Sequence, residues 1–280
     1  MKWIASFSPL TDNFVGPQAS PSAGKTKARL GFTLIELLVV IAIIAILAAM
    51  IMPAISKGKD RAKVARAKLE ISQLVTAISG YQSAYNRYPV SSNAMNAAAS
   101  ISEDYTYDIA FLRTKPPSGS SLPTSLNYLT NNSEVISILM DLETYPNTGL
   151  PTINAQHVKN PQRTPFLNAN RAADTFSPGV GTDLVYRDPW GNPYIITLDL
   201  NYDEKARDAC YCHQEISADP TSNGTPKAGF NGLTGRTASV GLRYEANAPV
   251  MIWSLGPDKN FDWRVPATQG VNKDNVLSWK

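Results

Sequence analysis

The chain has 280 residues, 43% of them hydrophobic and 18% charged, with a net charge of +3. That composition excludes both a disordered polymer and a multi-span membrane protein. Residues 1–31 hold the entire charge excess, in Lys2, Lys25, Lys27 and Arg29 against Asp12. The rest is formally neutral, which gives no expectation of a nucleic-acid partner.

Residues 1–31 are rich in Ser, Pro and Gly. Gly24-Lys25-Thr26 imitates the end of a phosphate-binding loop, but Ala19 stands where that loop needs its first glycine. The segment Phe32–Ile55 then has 24 residues whose sole charge is Glu36. As a helix it measures about 36 Å at about 1.5 Å per residue, enough to cross a hydrocarbon core of about 30 Å with some tilt. A cleaved secretory signal would have a shorter apolar core and a small-residue end, so a retained anchor is expected. Lys25, Lys27 and Arg29 precede the span, and Lys57, Lys59, Arg61, Lys63, Arg66 and Lys68 follow it. Charge counting therefore does not orient it. Glu36 is either an interfacial carboxylate one turn into the helix or a buried one that needs a partner.

The run GFTLIELLVVIAIIAILAAMIMPAI resembles the N-terminus of type IV pilins and type II secretion pseudopilins. The resemblance implies that a prepilin peptidase cuts between Gly31 and Phe32 and that the new Phe32 amine is methylated. Residues 1–31 would be the leader. Glu36 falls fifth after the cut and Pro53 twenty-second, the family's positions for its assembly glutamate and helix-loosening proline. Glu36 would then pair with the N-terminal amine of a neighbouring subunit during filament assembly. The family also implies an inner-membrane, single-pass anchor with its N-terminus in the cytoplasm and its head in the periplasm.

Pro53 and Gly58 predict a loosened stretch of helix. Beyond it Val64, Ala67, Ile71, Leu74, Ile78, Tyr81, Tyr85 and Tyr88 recur at spacings of three and four, an amphipathic helix over 56–89. Lys59, Arg66, Glu70 and Gln73 are read onto its polar face, and Tyr88-Pro89 is read as its end.

Residues 90–182 read as a variable insertion with a few helical patches, such as 133–143, capped by Ser133 and half-buried through Ile136, Leu139, Met140 and Leu142. Pro146 to Gly181 reads as a polar surface excursion. Strands are predicted at Leu184–Tyr186 and Tyr194–Leu200 around the DPWGNP turn, and at APVMIWSLG. Residues 201–248 read as a second excursion. Cys210 and Cys212 are too close for a relaxed disulfide. They are unpaired small residues, a redox-sensitive pair, or a weak metal site with His213.

DPWGNPY, SLGPDKNFD and a closing DNVLSW, in that order within 183–280, are similar to the major pseudopilin of type II secretion. That similarity implies a Ca²⁺ held by the Leu255 carbonyl, Asp258 and Asp274, with Asp262 as a substitute ligand. Lys259 and Asn260 stand where the family has glycines, and about ten extra residues intervene. The plain alternative is a polar loop held by Trp253, Trp263 and Trp279.

The fold class expected is α+β: a long N-terminal helix, membrane-spanning then amphipathic, on a small antiparallel sheet with large loop insertions, the type IV pilin-like fold. The function implied is a non-enzymatic filament subunit of a type II secretion system. Its partners would be copies of itself, minor pseudopilins, the prepilin peptidase, an inner-membrane assembly platform and, before assembly, membrane lipid. A type IV pilin for adhesion, motility or DNA uptake, with filaments at the cell surface, is the alternative. A membrane-anchored enzyme is the third reading, and it has only His157 and His213 and no His-Glu-x-x-His or Gly-x-Ser-x-Gly motif to work with.

Overall fold

A computed structural model describes residues 31–101, 104–109, 112, 130–224, 227–238 and 241–280. Residues 1–30, nearly all of the expected leader, and much of the 102–129 stretch lie outside the described residues. The chain divides into two units, 1–52 and 53–280. Helix α1 is assigned from Leu34 to Tyr85, running through Pro53 and Gly58 without interruption.

In the first unit every side chain from Leu34 to Met52 is exposed. This segment is long and apolar enough to cross a membrane. An apolar helix that buries nothing within its own chain requires lipid or other chains around it.

In the second unit Ala67, Ile71, Leu74, Ile78 and Tyr81 of the predicted stripe are buried, and Ala77 joins them. Each large member contributes about 1.5–3 kcal/mol on burial. Glu70 departs from the polar face on which the sequence places it. It is buried at 6% exposure, ion-paired with Arg66 at 2.8 Å and accepting from Tyr194 Oη at 2.6 Å. The helix also stops earlier than the Tyr88-Pro89 signal, because Asn86 turns left-handed (φ 51°) after Tyr85. Asparagine tolerates that conformation at a helix end.

Helix α2 (Ser92–Ile101) was not anticipated, although Ser91 caps it, its Oγ accepting from Ala94 N at 3.0 Å. Strand β1 (Tyr105–Tyr107) follows, then α3 (Ser133–Leu139). Six of the seven α3 residues are buried rather than one face of them, and Ser133 does not cap it. Asn132 precedes it and is spent on the sheet: its Nδ2 donates to Tyr186 O and Tyr194 O, while its Oδ1 accepts from Tyr186 N.

The main sheet is antiparallel in the order β1-β4-β7-β8, with β4 at Ile195–Leu198, β7 at Val250–Ser254 and β8 at Val276–Leu277. A short ribbon pairs β2 (Gly179–Val180) with β3 (Tyr186–Arg187), and another pairs β5 (Thr234–Ala238) with β6 (Gly241–Glu245). The α+β class is as expected. One face of the sheet packs on α1.

A second core corrects the reading of 201–248 as an excursion. Ala206, Cys210, Tyr211, Ile216, Leu233, Tyr244 and Ala246 are buried there with Met251, Trp253 and Trp263. Tyr211 sits among Trp253, Trp279 and Phe261, with ring centroids at 5.1, 5.1 and 5.9 Å. Small polar residues made this segment look like a loop, while its aromatics are too irregularly spaced to show a period. Cys210 and Cys212 are buried and neither is in a disulfide.

The Pro146–Gly181 stretch lies on the surface but is fastened by buried amides. Asn160 accepts from Tyr85 Oη at 2.7 Å and donates to Thr164 O, and Tyr81 Oη donates to Lys159 O at 2.6 Å. The tyrosines at the end of the stripe therefore spend their hydroxyls on the excursion.

Candidate functional site

The N-terminal site lies at the start of α1. Gly31, Phe32 and Thr33 precede the helix and are exposed, so the Gly31–Phe32 bond is open to a peptidase. Glu36 is the one charged residue of the Leu34–Met52 span. Its Oε2 accepts from Thr33 N at 2.8 Å and Thr33 Oγ1 at 2.6 Å, and Glu36 N donates back to Thr33 Oγ1 at 3.3 Å. This is a reciprocal capping box: two otherwise orphaned N–H groups are satisfied within the chain. The Thr-x-x-Glu spacing was its sequence signal, and the reading of Glu36 as an assembly residue passed over it. The carboxylate remains exposed at the side of the helix, lining an open apolar groove with Phe32, Ile35, Val39 and Val40. It is thus oriented by its own chain and still open to a cation.

The second candidate site is the turn and loop at 188–192 and 255–274. Asp188 organises the DPWGNP turn: Oδ1 accepts from Trp190 N and Asn192 N, and Oδ2 accepts from Asn192 Nδ2 and Ser254 Oγ. Asn192 Nδ2 also donates to Gly256 O at 3.1 Å. The two sequence motifs that carry the pseudopilin similarity in the head are thereby joined in space.

Leu255 is fully buried and Gly256 adopts φ +71°, bringing its backbone against Asp274; a Cβ added there would sit 2.4 Å from Asp274 O. Asp258 N lies 3.4 Å from Asp274 Oδ2. Asp274 Oδ1 is buried without a hydrogen-bond partner. Burial, and then the neighbouring Asp258 charge, push the Asp274 carboxyl above its usual range. The structure therefore brings Asp258 and Asp274 together beside Leu255. Asp262 is engaged in its own turn, accepting from Arg264 N at 2.9 Å, while its N–H donates to Asn272 Oδ1. Among the described residues no group of three His, Cys, Asp or Glu side chains has metal-holding geometry.

Both histidines are engaged by neighbouring side chains. His157 lies between Asp141 (2.8 Å) and Glu143 (3.1 Å), and His213 packs on Trp263. Neither the position of His157 between two carboxylates nor its tie to the 141–143 turn was legible from a lone loop histidine.

The family described as the prokaryotic N-terminal methylation motif matches residues 26–52. The type IV major pilin protein PilA of Myxococcus xanthus is 39% identical over 80 residues, 29% of this chain and 36% of that protein. The type II secretion system core protein G of Pseudomonas aeruginosa is 39% identical over 67 residues, 24% of this chain and 47% of that protein. Its counterpart from Aeromonas hydrophila is 37% identical over the same length. The chain spans less than half the length of these curated relatives. No solved structure matches it.

Proposed function

We propose that this chain is a pseudopilin, a structural subunit of a type II secretion-type filament. The observation that carries the reading is the N-terminal methylation motif on an apolar helix whose single carboxylate is held one turn from an exposed Gly31–Phe32 bond. Cleavage there creates an ammonium at Phe32. In the membrane an unpaired carboxylate is costly, so Glu36 of one subunit is best satisfied by the Phe32 amine of the next. That pairing sets register while the apolar segments, bare within one chain, cover one another as subunits leave the bilayer. The role is structural, and the head faces the periplasm. Prepilin peptidase, an assembly platform and minor pseudopilins are the partners this reading requires.

Similarity to a type IV major pilin keeps a pilus subunit as the second reading. The Asp188–Asn192 turn tied to the Gly256 loop supports the secretion class, because both motifs resemble the major pseudopilin.

The head also supports a Ca²⁺ proposal. The Leu255 carbonyl, Asp258 and Asp274 would hold the ion, with Asp274 Oδ1 offering an oxygen that nothing else uses. The ion would offset the mutual repulsion of the two carboxylates and fix the loop.

The test is intact mass and N-terminal sequencing of the mature protein, with sheared-filament recovery, for wild type and Glu36→Ala. Both chains should begin with N-methylated Phe32, and only wild type should yield filaments. A mature chain that begins before Gly31, or filaments indifferent to Glu36→Ala, overturns the reading.

A further inference from the structure

Between the apolar span and the packed head runs a basic stretch of α1. Lys57, Lys59, Arg61, Lys63, Arg66 and Lys68 face a single acid, Asp60, before Glu70. Every residue from Lys59 to Lys63 is exposed, Val64 and Ala67 are the first of the described residues beyond them to pack on the head's core, and Lys68 stays exposed beside Leu277, Ser278 and Lys280. Arg66 is taken by Glu70. Among the described residues no carboxylate pairs with Lys59, Arg61, Lys63 or Lys68. Lys59 and Lys63 lie on one side of the buried stripe, and Arg61 and Lys68 on the other at i and i+7. The four unpaired cations thus surround the helix on both sides of its apolar seam.

We propose that this collar binds the phosphate groups of anionic phospholipid and clamps the unassembled subunit at the head-side surface of its membrane. Self-repelling cations on an exposed helix need a counter-charge, and chain position supplies one. The collar begins at Lys59, seven residues or about 10 Å of helix after Met52, so that with Leu34–Met52 inserted its first cations stand at the outer edge of the lipid headgroups. The site rests on the reading of Leu34–Met52 as membrane-inserted before assembly. It adds a second role to α1: retention in the bilayer by electrostatics, which extraction into a filament has to overcome and which salt weakens.

Full-length protein in mixed micelles would be doped with phosphatidylglycerol or, separately, phosphatidylcholine, and lipids retained on the monomer counted by native mass spectrometry. Wild type should retain phosphatidylglycerol over phosphatidylcholine. The Lys59→Gln, Arg61→Gln, Lys63→Gln, Lys68→Gln variant should lose that preference by roughly tenfold or more. A control with Lys205→Gln, Lys227→Gln and Lys273→Gln in the head should keep it. Helix content checked by circular dichroism guards against misfolding, and glutamine is a good helix former. Equal retention of both lipids by wild type overturns the proposal, as does an unchanged preference in the collar variant. Retention confined to species with two or more copies also overturns it and assigns the collar to a neighbouring subunit. N-terminal mass of the same samples reports separately on the filament reading: a chain not processed at Phe32 that still shows the collar effect sinks that reading and leaves this one standing.

Discussion

Tyr194 Oη donates to Glu70 Oε2 at 2.6 Å, joining the helix to the strand beside the DPWGNP turn across 124 positions of sequence. Glu70 also receives Arg66 at 2.8 Å, so both carboxylate oxygens are engaged in a nearly dry seam. Tyr194→Phe leaves one oxygen of a buried carboxylate without its donor. The expected cost is about 1–3 kcal/mol in urea unfolding of the full chain. Glu70→Gln, which keeps an acceptor for the tyrosine, should cost less than Glu70→Leu. Equal stability of Tyr194→Phe and wild type would show that the contact does not hold the head on α1.

Asp108 gives the pH dependence its sign. It is buried beside Asp183, accepts from Asn132 N at 2.6 Å, and burial pushes its carboxyl up to about 7. In the unfolded chain it titrates near its ordinary value, so between about pH 4 and 7 the folded state holds a proton that the unfolded state has lost. Its contribution is therefore favourable at the acid end and declines as pH rises through 7. Asp108→Asn should match wild type near pH 4 and be more stable by about 1–3 kcal/mol at pH 8. Chemical denaturation at both pH values measures this, and a constant difference between them would contradict the assignment.

Gly256 tests the loop. Its positive φ and the close Asp274 carbonyl leave no room for a side chain. Gly256→Ala should destabilise the head by about 1–3 kcal/mol, whereas Gly149→Ala, also at positive φ but in open space, should cost less.

If the Asp258–Asp274 pair holds Ca²⁺, calcium raises the thermal midpoint of the full chain. Saturation a hundredfold above the dissociation constant corresponds to about 2.7 kcal/mol. Asp274→Asn should abolish the shift and Asp262→Asn should leave it. A midpoint indifferent to calcium in wild type refutes the ion.

Thr33 provides the cap that orients Glu36. Thr33→Val keeps the shape and removes the Oγ1 partner of the carboxylate. Filament recovery should fall while cleavage at Gly31 continues, because the scissile bond lies outside the capping box. Undiminished filaments from Thr33→Val would mean that Glu36 needs no help from its own chain.

The apolar span, the Glu36 spacing and the stripe from Ala67 to Tyr81 were all set by local order of residues. A membrane helix must be apolar along its length and an amphipathic one must repeat near 3.6, so these patterns survive without knowledge of the fold. The strands at 195–198 and 250–254 were likewise marked by turn residues on their flanks. Glu70 could not be read so: its spacing places it near the polar face, and only the approach of Tyr194 and Arg66 makes its burial tolerable. The same holds for Asn132, whose side chain is consumed by the backbones of Tyr186 and Tyr194. Cys210, Tyr211 and Tyr244 meet Trp253 and Trp279 only once the sheet is formed, so the second core carries no periodic signature. By resemblance Asp274 was the expected ligand and Asp262 its substitute. Backbone turns at Gly256 and Arg264 divide them, sending one toward Asp258 and the other into its own loop. Local chemistry is written in neighbouring residues, whereas pairing across the chain depends on which surfaces the folded backbone brings within a few ångströms.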